Sequence, residues 1–215
     1  MPRYELFIFD FDGTLVDTAP DIAYHLNSVL SEFGFAESSL SQVKKAIGWG
    51  VHQLMRELAP ALDGDAGRLE KMVTLFKQRY AALPVSVTRP YPSVEEMLEG
   101  PLSGFQKAIV TNKPQNLTLE IIDRLGWGRH FRKIIGGEAG FAHKPDPAST
   151  RYVMEGLGVA PAKTLFIGDS AIDRDTARGA GTDFIWMDYG YDDSLAGSGD
   201  VKRFSSAADW KRLCS

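Results

Sequence analysis

Five short, mostly apolar runs punctuate this 215-residue chain, and their apolar residues fall on consecutive rather than alternate positions. They are Leu6-Phe7-Ile8-Phe9, Ala108-Ile109-Val110, Lys133-Ile134-Ile135, Thr164-Leu165-Phe166-Ile167 and Phe184-Ile185-Trp186-Met187. A strand with one face in water alternates, whereas a run that is apolar throughout must be covered on both faces, as in a parallel sheet. Parallel neighbours need a crossover between them, and segments of helical character separate most of the runs. The fold class expected is therefore α/β, a doubly wound, Rossmann-like parallel sheet with helices on both faces.

From about Thr18 to Val87 this rhythm breaks, because the stretch holds helical signals and no convincing strand. Thr18 is placed to cap a helix with the apolar face Ile22, Leu26, Val29, Leu30 and Phe33, and Gly34 to end it. Val51, Leu54, Met55 and Leu58 form a second stripe, and Leu69, Met72, Val73, Phe76 and Tyr80 a third, all read as packing faces. At this length one core plus a modest second lobe is expected: residues 1–17 with 87–215 as the core, and 18–86 as an inserted helical lobe.

Composition excludes several partners. With 44% hydrophobic and 24% charged residues and a net charge of −4, the chain reads as a soluble globular protein. It has no basic run, so a nucleic acid is not expected, and any phosphate handled should be small. The apolar stretch before Asp10 is too short for a signal peptide or a membrane span, and the single Cys214 has no disulfide partner. A cytoplasmic setting without membrane contact is expected.

The polar residues that follow the runs carry the chemistry. Leu6–Phe9 empties into Asp10-Phe11-Asp12-Gly13-Thr14, and the carboxyl ends of strands are where open α/β sheets bind ligands. In an extended chain Asp10 and Asp12 would converge, and a hard cation such as Mg²⁺ would relieve their repulsion; a plain Asp-Gly turn is the bland alternative. Thr164–Ile167 empties into Gly168-Asp169-Ser170-Ala171-Ile172-Asp173, with Asp169 a strand-end ligand and Asp173 an outer-shell support, or with Asp169 or Ser170 as a simple helix cap. Thr111-Asn112-Lys113-Pro114 offers a hydroxyl, an amide and backbone N–H groups at a helix start, suited to phosphate or again to capping. Lys144, within His143-Lys144-Pro145-Asp146-Pro147, is the candidate positive charge for a site rich in acids.

Taken in order, these segments resemble the four motifs of the haloacid dehalogenase superfamily of aspartate-dependent phosphatases: Asp10 to Thr14, Thr111, Lys144, and Gly168 to Asp173. The resemblance spans nearly the whole chain, and it makes the helical lobe a cap. It implies Asp10 as nucleophile and Asp12 as general acid and base, with Thr111 and Lys144 also catalytic. Gly13, Thr14, Thr111, Asn112 and Lys144 would bind the substrate, and Asp10, Asp12, Asp169 and Asp173 would form the Mg²⁺ site, Asp12 through its carbonyl. Asp12 favours phosphate esters over carbon–halogen bonds. Within the superfamily, Ile47-Gly48-Trp49-Gly50, Arg89-Pro90-Tyr91-Pro92 and Tyr189-Gly190-Tyr191 resemble phosphoglycolate phosphatases, so a small phosphorylated metabolite, 2-phosphoglycolate, is the expected substrate.

Other outcomes remain open: a mutase resembling β-phosphoglucomutase, a nucleotide or pyrophosphate phosphatase, and a non-catalytic phosphate-binding regulatory module. Dimerisation is left open too. Arg56 and His52 are read as surface charges before substrate contacts, His25 and His130 as structural, and Asp175 as an extra acid on a helix surface.

Overall fold

The computed structural model describes residues 3–62, 64–82, 87–199, 201–206 and 209–210. Cys214 and position 86, the expected end of the helical lobe, lie outside the described residues.

All five expected strands are present, as β1 (Leu6–Phe9), β4 (Gln106–Pro114), β5 (Lys133–Gly137), β6 (Thr164–Gly168) and β7 (Asp183–Met187). They lie in one parallel six-stranded sheet of order β5-β4-β1-β6-β7-β8, whose last member β8 (Lys202–Phe204) was not expected. Its sequence explains why: Lys202 and Arg203 are exposed and only Phe204 is buried, the charged pattern that protects a sheet edge. β1 is buried on both faces, Leu6 and Ile8 in one apolar cluster and Phe7 and Phe9 in the other. The helices α5 (Val94–Glu99), α6 (Gln115–Arg124), α7 (Ala148–Leu157) and α8 (Ala171–Ala180) alternate with the strands. After β1 the chain builds outward through β4 and β5, then returns to build β6 and β7 on the other side, so the topological switch falls beside β1.

Between β1 and β4 come the helices α1 (Ala19–Glu32), α2 (Leu40–Ala46), α3 (Val51–Leu58) and α4 (Ala66–Ala82). Their expected apolar stripes are buried, apart from a half-buried Phe33 and Leu58, and join the cluster on the Phe7 and Phe9 face. The chain leaves the sheet through β2 (Val16–Asp17) and comes back through β3 (Arg89–Pro90), and these two strands pair antiparallel. α1 begins where expected, but Thr18 does not cap it with its side chain. Among the described residues no helix is long and apolar enough to cross a membrane.

Candidate active site

The carboxyl ends of β1, β4 and β6 bring most of the expected residues together. Asp10, Asp12, Thr111, Asn112, Lys144, Asp169 and Asp173 are all buried, as are Thr14 and Lys113. Gly13 makes the convergence possible: its φ is +83°, and a Cβ there would stand 2.3 Å from Asp169 Oδ2.

Asp10 and Asp12 line one cavity but have different partners. Each faces its own lysine. Lys144 Nζ stands 2.8 Å from Asp10 Oδ1 and donates to Asp173 Oδ1 at 2.6 Å. Lys113 Nζ donates to Asp12 Oδ1 at 3.1 Å and to the Tyr80 hydroxyl at 3.2 Å, with the Tyr80 ring 4.6 Å away. The Thr18 hydroxyl, free of any capping duty, donates to Asp12 Oδ1 at 2.6 Å. The Asp12 side chain is held by Thr18 and Lys113 and is not one of the three clustered carboxylates, although it lines the same cavity as Asp10.

That cluster is Asp10, Asp169 and Asp173, each offering a carboxylate oxygen within 4.8 Å of the others. Asp169 is held by the Thr14 hydroxyl at 2.9 Å and the Tyr191 N–H at 2.7 Å. Asp173 closes a capping box with Ser170, accepting from its N–H at 3.1 Å and its hydroxyl at 2.6 Å. The capping alternative and the acid-cluster reading are thus both present in one motif. Burial, then the neighbouring carboxylates of Asp173 and Asp10, push the Asp169 carboxyl well above its ordinary range. Burial likewise lifts Asp173 to about 6, with Lys144 pulling it back and Asp10 pushing it up. Both lysines are held above their usual range, since the adjacent carboxylates outweigh burial.

Among the described residues, four buried carboxyl groups are crowded here with two buried ammonium groups. Asp10 Oδ1 has the Lys144 ammonium 2.8 Å away as its ion-pair partner. Three buried carboxylates within reach of one another fit a hard divalent cation.

Asn112 departs from its expected role. Its amide donates to the carbonyls of Gly48 at 2.8 Å and Lys144 at 3.0 Å, and its Oδ1 accepts from the Lys144 N–H at 2.8 Å. It fixes the Lys144 loop and ties it to the Ile47–Gly50 loop, leaving no side-chain donor for a phosphate. The expected helix start at Thr111 is corrected as well, because β4 runs on to Pro114 and α6 begins at Gln115. The register with β5 shifts between Val110 and Pro114, and this irregularity aims Thr111 to Lys113 at the site. Period-two alternation would have linked Lys113 to Thr111 had the strand been extended by three residues in the sequence reading.

Above the acids lies a cavity of about 50 Å³, floored by Asp10, Asp12, Thr111 and Lys113 and walled by Ile22, Val51, Leu54, Phe76 and Tyr80. It holds a few water molecules or one small anion. Gly50 closes its rim against the His143 ring, where a Cβ would come within 2.7 Å. Outside this space, His52 pairs with Glu70 at 3.0 Å, Arg56 is exposed, and Asp175 is an exposed partner of Arg174. His25 packs on Tyr80, and His130 stands 3.9 Å from Glu99.

The model of the haloacid dehalogenase-like hydrolase family matches residues 7–187, which include every acid and lysine of this site. The chain belongs to that family. It is 37% identical over 196 residues to phosphoglycolate phosphatase 1 of Pseudomonas aeruginosa, covering 89% of this chain and 71% of that protein. Over 187 residues it is 37% identical to a phosphoglycolate phosphatase of Aquifex aeolicus, covering 86% and 85% of the two. The crystal structure of a predicted phosphoglycolate phosphatase from Haemophilus somnus superposes with a TM-score of 0.92 at 30% identity, over 100% of both chains. Membership and these relatives make this chain a hydrolase of the phosphatase kind.

Proposed function

We propose that this chain hydrolyses 2-phosphoglycolate, a small phosphate monoester, in a Mg²⁺-dependent reaction that passes through a phosphoryl group on Asp10. The observation that carries the reading is Asp10 itself: a buried strand-end carboxylate, flanked by Lys144 and two further acids, on the floor of a cavity that Asp12 shares. In the first step a carboxylate oxygen of Asp10 bonds to phosphorus, the phosphorus–ester oxygen bond breaks, and Asp12 gives a proton to the departing oxygen. In the second, water attacks the phosphoryl group, Asp12 takes its proton back, and inorganic phosphate leaves with the Asp10 carboxylate restored. Thr111 and Lys144 hold the transferring oxygens, and Gly13 and Thr14 keep the Asp10–Asp12 turn and Asp169 in place.

Asp10, Asp169 and the Asp12 carbonyl would hold the metal, with Asp173 supporting from outside because both of its oxygens are already engaged. When bound, Mg²⁺ supplies neutralisation of the charge on the phosphoryl oxygens. Residues 1–17 with 87–215 serve as the core and 18–86 as a cap that keeps bulk water from the aspartyl phosphate. The small cavity and the relatives named phosphoglycolate phosphatase support a substrate of this size.

The test is phosphate release from 2-phosphoglycolate, sugar phosphates, nucleotides and pyrophosphate, with and without Mg²⁺, for the native protein and Asp10→Asn. Turnover of 2-phosphoglycolate that needs Mg²⁺ and disappears in the variant is expected. Turnover indifferent to Asp10, or transfer of phosphate to a sugar instead of water, would overturn it.

A further inference from the structure

Lys113 Nζ reaches three acceptor atoms, Asp12 Oδ1 at 3.1 Å, Asp12 Oδ2 at 3.4 Å and the Tyr80 hydroxyl at 3.2 Å. All three are longer than the about 2.7–2.9 Å of a charge-assisted bond, so the ammonium is loosely held. Its side chain is only 3% exposed, so a closer acceptor has to come from the cavity it lines. Among the described residues that line the cavity, Lys113 is the one cation. Lys144, the other buried lysine of the site, is paired with Asp10 and Asp173.

We propose that Lys113 is a specificity-determining residue that binds the carboxylate of the substrate, an inference that rests on the phosphoglycolate reading above. Position supports it as much as charge. Asp12 must reach the leaving oxygen to protonate it, and Lys113 stands 3.1 Å from Asp12. An anion held by Lys113 therefore sits within a few ångströms of the ester oxygen, which fits a carboxylate on the neighbouring carbon and excludes one several carbons away. Tyr80, another wall of the cavity, contacts the ammonium through its hydroxyl at 3.2 Å and its ring at 4.6 Å, which fixes the charge in position. Ile22, Val51, Leu54 and Phe76 line the cavity with apolar side chains, and none of them can pair with a carboxylate. A substrate lacking the carboxylate leaves the buried ammonium with only its long contacts, which is how a polar site disfavours an analogue.

The experiment compares 2-phosphoglycolate with ethyl phosphate, the same ester with a methyl group in place of the carboxylate. The ratio of their kcat/KM values is measured in the native enzyme, Lys113→Met and Lys113→Gln. A native preference for 2-phosphoglycolate that falls about ten- to a hundredfold in both variants is expected, the range for a hydrogen bond to a charged group. Equal losses on both substrates would overturn the inference, since they would make Lys113 a support for Asp12 alone. An unchanged ratio would overturn it too. A native enzyme without the preference would instead fail the substrate reading. A crystal structure of the native protein with sulfoacetate needs no variant: its carboxylate is expected on Lys113 Nζ, and a carboxylate bound elsewhere refutes the assignment.

Discussion

Replacing Lys144 by methionine keeps the length of the side chain, removes its charge, and should destabilise the protein in a pH-dependent way. Nζ lies 2.8 Å from Asp10 and 2.6 Å from Asp173, and the Lys144 and Asp173 side chains are 2% and 0% exposed. Removing one partner of a buried pair costs about 3–5 kcal/mol, because the surviving charge has neither water nor counterion. For a chain of this size that lowers Tm by roughly 6–20 °C. The pH dependence follows from Asp173, whose carboxyl is raised by burial from 3.8 to about 6 even with Lys144 beside it. A group raised on folding contributes stability that is complete below its unfolded pKa and is lost as the pH climbs through the folded one. Without Lys144 the folded value climbs further, and the loss extends to higher pH. The gap between native protein and variant should be widest near about pH 8 and shrink toward about pH 5, where a protonated Asp173 needs no cation. Thermal melts in the presence of a chelator across that range measure it. A gap of constant size would refute the ion-pair account and leave only lost packing.

Thr18→Val removes the 2.6 Å hydrogen bond to Asp12 at constant shape, and should cost about 1.5–3 kcal/mol and lower kcat more than it raises KM; denaturant melts and steady-state kinetics check both. Tyr191→Phe should cost about 1–3 kcal/mol by the same melts, because its hydroxyl accepts from the Thr18 and Ala19 N–H groups at the start of α1 and donates to Asp17. Gly13→Ala forces a Cβ onto the Asp169 carboxylate at positive φ, and calorimetric titration should show Mg²⁺ affinity lost along with activity.

How much of this was legible beforehand varied with the physical signal. Strands buried on both faces announce themselves through consecutive apolar residues, so β1, β4, β5, β6 and β7 were readable, whereas β8 carries the charges of an edge and was not. The acids were readable as residues but not in their partners. Extended spacing brings Asp10 and Asp12 to one cavity, but it does not reveal that Thr18 and Lys113 hold Asp12 while Lys144 holds Asp10. Lys113 has no distinct role in the sequence because its segment reads as a helix start, whereas β4 continues through these polar residues into the site. Asn112 has a phosphate ligand's chemistry but a structural post, which only the position of the Gly48 and Lys144 carbonyls decides.

The pairing of β2 with β3 bears on how the chain finds its fold. β1 and β4 are sheet neighbours, yet the four helices of the lobe lie between them in sequence. Once Val16 meets Pro90 and Asp17 meets Arg89, that long excursion is closed off on itself. The loop still to be closed before β1 meets β4 shrinks from roughly 100 residues to roughly 25, lowering its entropic cost by about 1 kcal/mol. A two-residue ribbon thus turns a distant strand pairing into a nearly local one, and the helical segment can lengthen or shorten among relatives with little effect on assembly of the sheet.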